Sequence, residues 1–101
     1  MVGPGFGLPG GRLPVTPTST LIGSIGIAPL RDAGYNVVTW DPRGFGLSGG
    51  EAYINNPQYE GRDAQAIVDY IADQPEARLD APGDPVLGMA GASYGGGIQF
   101  V

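Results

Sequence analysis

The sequence predicts an α/β fold, and three segments carry that prediction. Tyr35-Asn36-Val37-Val38-Thr39-Trp40 is β-branched and aromatic, the composition of a buried strand. Arg62 to Gln74 places Ala64, Ile67, Val68, Ile71 and Ala72 at i, i+3, i+4, i+7 and i+8, the stripe of an amphipathic helix. Val86-Leu87-Gly88-Met89-Ala90 is a second apolar run and leads directly into a glycine-rich turn. Strand, helix and strand at this spacing make a βαβ unit, which predicts two parallel strands joined by a right-handed crossover.

The remaining elements follow in order. Residues 1–20 are rich in Gly, Pro, Ser and Thr and predict little regular structure, apart from a short third strand at Met1-Val2. Leu21-Ile22 and Ile25-Gly26-Ile27 begin an apolar stretch. A short helix is expected from about Pro29 to Asp32, because proline suits a first helical turn. Gly34 then fits the position just past a helix end, where positive φ is common. Asp41-Pro42-Arg43-Gly44-Phe45-Gly46 ends the first strand, and residues 47–60 read as a long polar loop. On the helix, Asp63, Asp69 and Asp73 are expected to face outward, and Pro75 closes it. Asp80-Ala81-Pro82-Gly83-Asp84-Pro85 is a cluster of turn formers. No internal repeat and no second domain is visible, so residues 1–101 read as at most one small domain.

Composition narrows the function. The chain has 101 residues and a net charge of −5, its five cations are all arginine, and no basic stretch occurs. Neither a nucleic-acid nor an anionic-membrane partner is expected. Lysine is absent, which excludes a Walker-type phosphate loop, a Schiff-base lysine and a Ser–Lys dyad within these residues. Cysteine is absent, which excludes a disulfide framework and a thiolate zinc site. No apolar run approaches the roughly 20 residues that span a bilayer, and no signal peptide is expected from the first residues. Gly5 to Gly10 and Gly44 to Gly49 both match Gly-x-Gly-x-x-Gly. Neither opens a helix, because Pro9 and the 47–60 loop follow, so dinucleotide binding is not expected. No cofactor and no metal is called for.

Ser93 is the candidate that carries chemistry. It lies in Gly91-Ala92-Ser93-Tyr94-Gly95, a Gly-x-Ser-x-Gly pattern directly after an apolar strand. A sharp strand-to-helix turn would lift the hydroxyl out of the sheet top. Flanking glycines leave room for crowded backbone, and a helix start aims amides at developing negative charge. The bland reading is a glycine-rich turn with a solvated serine. Asp41 and Arg43 are read as structural, through a surface ion pair and nearby backbone contacts.

Together these motifs resemble the α/β-hydrolase fold. Residues 35–48 look like its fourth strand and the Asp-x-Arg-Gly-x-Gly-x-Ser turn, helix 62–74 looks like the helix that follows, and residues 91–95 match the nucleophile turn after strand five. Ser93-Tyr94 and Asp69-Tyr70-Ile71-Ala72-Asp73-Gln74-Pro75 resemble the Xaa-Pro dipeptidyl-peptidase-like and cocaine-esterase-like branch. The resemblance implies a serine hydrolase cleaving ester or amide bonds, Xaa-Pro peptide bonds among them, of a small-molecule or peptide substrate through an acyl-serine intermediate. It makes Ser93 the nucleophile and the Tyr94 backbone N–H one oxyanion donor. Met1 to Gly7 looks like the end of strand three and the loop supplying the second donor, for which the Phe6 N–H is the candidate; the bland reading of residues 3–7 is a flexible tail. The family's triad runs Ser, acid, His. The chain has no histidine. It is therefore expected to be a partial α/β-hydrolase fold, truncated after the nucleophile turn, inactive and poorly folded alone. The alternative is a catalytically inert α/β fragment or binding module.

Overall fold

A computed structural model describes residues 1–10 and 27–101. The expectations for residues 11–26, including Leu21-Ile22 and Ile25-Gly26, lie outside the described residues.

A parallel sheet positions the site. Strand β1 (Val2–Gly3) pairs with β4 (Ala90–Gly91), with Val2 opposite Ala90 and Gly3 opposite Gly91. On its other side, Val2 makes a parallel bridge to Thr39. The Val2 N–H donates to the Val38 carbonyl at 2.9 Å, and the Ala90 N–H donates to the Met1 carbonyl at 2.9 Å. The expected strand at Met1-Val2 is therefore the middle member. The two apolar runs are parallel, as predicted, but they are not neighbours: β1 lies between them.

Both apolar runs are less regular than their composition predicts. From 35–40 only Thr39 takes part in a bridge, and from 86–90 only Ala90 is in a strand. Tyr35 is 65% exposed and Val86 53% exposed. A strand persists only where a partner offers ladder hydrogen bonds. Among the described residues β1 is two residues long, so each flank pairs for one or two residues and then departs.

Helix α1 (Ile27–Asp32) begins two residues before the expected Pro29, and Gly34 has φ +89° as its position past the helix end demands. Helix α2 (Glu60–Ala72) lies two residues earlier than predicted at each end. Its start is set by the Asn56 carbonyl, which accepts from both Tyr59 and Gly61 N–H at 3.1 Å. Its end falls short of Gln74, whose place before Pro75 disfavours helical backbone; the Gln74 side chain turns back to donate to the Tyr70 carbonyl. Asp69 and Asp73 are exposed as expected. Asp63 also faces outward, its side chain 41% exposed. It is paired with Arg43, because the 41–46 turn lies against the first turns of α2.

The turn cluster at 80–85 is a hairpin. Strands β2 (Leu79–Ala81) and β3 (Asp84–Pro85) run antiparallel around Pro82-Gly83, and the Val86 N–H donates to the Arg78 carbonyl at 2.8 Å. Helix α3 (Tyr94–Gly97) follows β4 and tightens into a 3₁₀ turn over Ile98–Phe100. The buried apolar side chains among the described residues are Met1, Ala28, Pro42, Tyr94 and Ile98. Two of these five belong to the segment that follows Ser93.

Candidate active site

Strand β4 ends at Gly91, Ala92 and Ser93 turn, and α3 begins at Tyr94. Ser93 makes this turn with φ +53° and ψ −121°, and its side chain is exposed. A non-glycine residue in that region stores about 1–3 kcal/mol of strain, which the surroundings must hold. The sharp turn read from Gly-x-Ser-x-Gly is present at the predicted residue.

The two glycines of the motif are needed for close approach. A Cβ on Gly91 would collide with the carbonyl of Gly95, and a Cβ on Gly95 would collide with the carbonyls of Gly3 and Pro4. Backbone of β1, β4 and α3 therefore meets with no side chain between. That contact brings the start of α3 onto the end of the central strand.

The direction of the Tyr94 amide follows from its peptide plane. The Ser93 carbonyl accepts from Gly96 N–H at 3.0 Å and Gly97 N–H at 2.9 Å, so it points along α3. A trans peptide puts the N–H on the opposite side. The Tyr94 N–H therefore points out of the helix start, where no preceding turn can accept from it. The second candidate donor lies close by. Leu8 N–H closes on the Gly5 carbonyl at 3.1 Å, so residues 5–8 form a turn. Phe6 is 59% exposed, and its ring packs edge-on against Tyr94 and Phe45 at centroid distances of 5.5 and 5.0 Å. Ser93, Tyr94 and Phe6, picked out from residues distant in sequence, are thus gathered at one end of the sheet.

Asp41 and Arg43 serve the loops. Asp41 carboxylate oxygens accept from Gly10 N–H at 2.7 Å and Leu47 N–H at 2.8 Å, joining the 5–10 and 41–48 loops. Arg43 forms a two-pronged pair with Asp63 and lies over the Tyr59 ring at 5.2 Å. The ion pair expected at this turn is therefore made by Arg43 across to α2.

Sequence reasoning passed over Glu60. It opens α2, is 3% exposed, and its carboxylate accepts from the N–H groups of Tyr53 and Asn56 and from the Tyr94 hydroxyl at 3.1 Å. Burial pushes its pKa up, but the hydrogen bonds from the Tyr53, Glu60 and Asn56 amides and from Tyr94 prevail. The carboxyl is held below its ordinary value. Burial, with the bond to Glu60, raises the Tyr94 phenol above its ordinary value. Asn55 donates from Nδ2 to the Tyr94 carbonyl at 3.2 Å. An acid in the first turn of a helix after Asn-Pro is a helix-start signal. Nothing local, however, marks Tyr94, 34 residues away, as its partner.

A cleft of about 640 Å³ opens between the 40–50 loop, α2 and α3, with Trp40, Arg43, Glu60, Tyr94 and Ile98 in its wall. Ser93 and Phe6 do not line it. Among the described residues no three His, Cys, Asp or Glu side chains converge to hold a metal ion.

This arrangement can present an exposed hydroxyl beside an outward-aimed amide. The chain has no histidine to activate that hydroxyl. Residues 26–101 match the model of the family described as "Serine aminopeptidase, S33". No curated protein and no solved structure matches the chain. The family match covers the strand bridged at Thr39, α2, β4 and the Ser93 turn, so the chain belongs to this serine aminopeptidase family and, with it, to the α/β-hydrolase superfamily.

Proposed function

We propose that Ser93 is the acylated nucleophile of a serine hydrolase acting on ester or amide bonds, with the Tyr94 N–H and the Phe6 N–H as oxyanion donors. The observation that carries this reading is the strained backbone of Ser93 at the strand-to-helix turn. A solvated serine in a passive turn gains nothing from φ +53°, whereas a nucleophile gains an exposed hydroxyl next to a free amide. Ser93 Oγ bonds to the carbonyl carbon and gives up its proton to a base. The bond to the leaving alcohol or amine breaks, and the leaving group takes that proton. Water then releases the acid and restores the hydroxyl.

A histidine base is not among these residues, and the family order of serine, acid and histidine leaves no acid after Ser93 within them either. The 101 residues form part of a catalytic domain under this reading, and alone they are inactive. Resemblance of Ser93-Tyr94 and α2 to the Xaa-Pro dipeptidyl-peptidase-like branch favours small acyl groups or Xaa-Pro peptides as substrates. The alternative, an inert α/β piece, makes Ser93 dispensable.

The experiment is fluorophosphonate labelling of the complete gene product, alongside turnover of p-nitrophenyl acetate, a long-chain ester and Gly-Pro-p-nitroanilide. Labelling at Ser93, with turnover lowered by several orders of magnitude in Ser93→Ala, is expected. Turnover within a few-fold of wild type in Ser93→Ala removes the serine from the mechanism. Preference for the long-chain ester overturns the substrate class alone.

A further inference from the structure

We propose that Glu60 and Asn55 are positioning residues for the oxyanion side of the Ser93 turn, holding Tyr94 at its ring hydroxyl and at its main-chain carbonyl. The proposal rests on the reading of Ser93 as nucleophile and adds the groups that keep the neighbouring amide aimed.

Helix α3 is Tyr94-Gly95-Gly96-Gly97, and three consecutive glycines make it a poor helix by local preference. Yet the Tyr94 N–H keeps its direction only while the Ser93 carbonyl stays bonded to Gly96 and Gly97. The preceding residue is strained, so the turn has reason to unwind. Support must come from outside the segment, and the structure supplies it at Tyr94. Glu60 accepts the Tyr94 hydroxyl from a buried position, and Asn55 Nδ2 donates to the Tyr94 carbonyl. Neither contact reaches the Ser93 hydroxyl, so neither residue belongs to the reacting group.

The loop that delivers Asn55 is itself shaped for this contact. Ile54 and Asn55 have φ +58° and +56°, and with Ser93 they are the non-glycine residues of positive φ among the described residues. Tyr53 N–H and Asn56 N–H on either side of the pair both donate to Glu60. One buried carboxylate therefore folds the 53–56 loop and holds the Tyr94 ring at once. The loop's strain is spent on bringing an amide to the first residue of α3. Asn55 is seated tightly, since a Cβ on Gly97 would strike its Nδ2. Tyr94 is also excluded as a hydroxyl donor to substrate, because its O–H is directed to Glu60.

The test uses the complete gene product, with rates expressed per active site titrated by fluorophosphonate. Tyr94→Phe removes the hydroxyl and keeps the ring in its contacts with Phe6 and Phe45. Loss of an oxyanion donor costs about 10²–10³ in kcat, and a misaimed donor costs part of that. We expect kcat to fall about tenfold with KM within twofold, Glu60→Ala to lose as much, and Glu60→Gln, which keeps an acceptor oxygen, to recover most of the loss. If Tyr94→Phe or Glu60→Ala fails to fold, Asn55→Asp, which exchanges the donor for an acceptor at the Tyr94 carbonyl, carries the same expectation. Wild-type kcat per titrated site in the folded variants, whatever happens to Tm, overturns the proposal. Full activity in Ser93→Ala is a different failure: it removes the nucleophile itself, and the positioning role with it.

Discussion

Gly95→Ala tests whether the Ser93 turn is held by backbone contact with the central strand. Two effects of opposite sign act on this substitution. Gly95 is inside α3, where alanine is better than glycine by about 1 kcal/mol. Against that, the new Cβ would lie on the carbonyl of Gly3 and only 2.6 Å from the Pro4 oxygen. These are main-chain atoms, so no side chain can rotate away. Relief requires β1 to retreat from α3, and β1 is anchored on both edges by the 2.9 Å bonds through Val2 and Met1. Overpacking typically costs about 1–3 kcal/mol. A clash with anchored backbone belongs at the upper end, and each lengthened ladder bond adds up to about 1 kcal/mol. The net expectation is a loss of about 2 kcal/mol. Two controls set the scale. Gly88→Ala meets open space with no positive φ, and should be neutral or stabilising by about 0.4–1 kcal/mol. Gly7→Ala also meets open space but carries φ +75°, and should cost about 1–2 kcal/mol. Urea denaturation of the complete gene product, with m-values compared across the set, gives the differences. A Gly95→Ala protein as stable as Gly88→Ala would refute the contact, because helix preference alone would then decide the sign.

Two further outcomes are expected. Asp41→Ala leaves the buried Gly10 N–H without its carboxylate acceptor and frees the Leu47 N–H, so stability should drop by about 1–3 kcal/mol in the same titration; a change under 0.5 kcal/mol would show that the two loops do not need this link. Glu60 has a folded-state pKa below its unfolded value, so its stabilisation is present above about pH 4.5 and is lost as pH falls through the lowered value. The acid limb of a stability-against-pH profile should therefore flatten in Glu60→Gln, and an unchanged limb would remove Glu60 from the linkage.

What the sequence made legible was what is local. The Ser93 turn is written in five consecutive residues, and α2 is written in a repeating apolar stripe. Their positions came out within two residues or better. The order of strands was not legible in the same way. Two apolar runs joined by a helix read as parallel strands, but nothing in their spacing showed the strand that separates them, Val2-Gly3, which is too short to carry a periodic signal. The runs themselves were read as fully strand-like because apolar composition reports a preference for burial, whereas strand formation needs a partner in register. Asp63 faces outward as read, but its partner was not legible, because a helical wheel shows which way a residue points and not what is there. Arg43, 20 residues earlier, turns an outward-facing acid into a paired one. Glu60 was missed for the same reason at longer range, since the Tyr94 hydroxyl that bonds to it lies 34 residues away.

The site residues also explain how a strained turn persists above so small a core. Holding Ser93 at positive φ costs about 1–3 kcal/mol. The glycines of α3 return little of it through helix preference, and the buried apolar side chains near the turn are Tyr94 and Ile98. Polar contacts make up the difference. A hydrogen bond to a charged acceptor contributes about 1.5–3 kcal/mol, and the Tyr94 hydroxyl makes one with Glu60. Tyr94 is then both a core residue and the point where the turn is fastened. Its ring packs edge-on against both Phe6, which follows β1, and Phe45, which follows the Thr39 bridge, and these two rings also touch each other. The three loops at this end of the sheet thus share one aromatic side chain. Stability and the aim of the Tyr94 amide are therefore coupled through the same residue. Substitutions that loosen Tyr94 should lower both together, whereas Ser93→Ala, which removes only the hydroxyl, should leave the fold as stable as before.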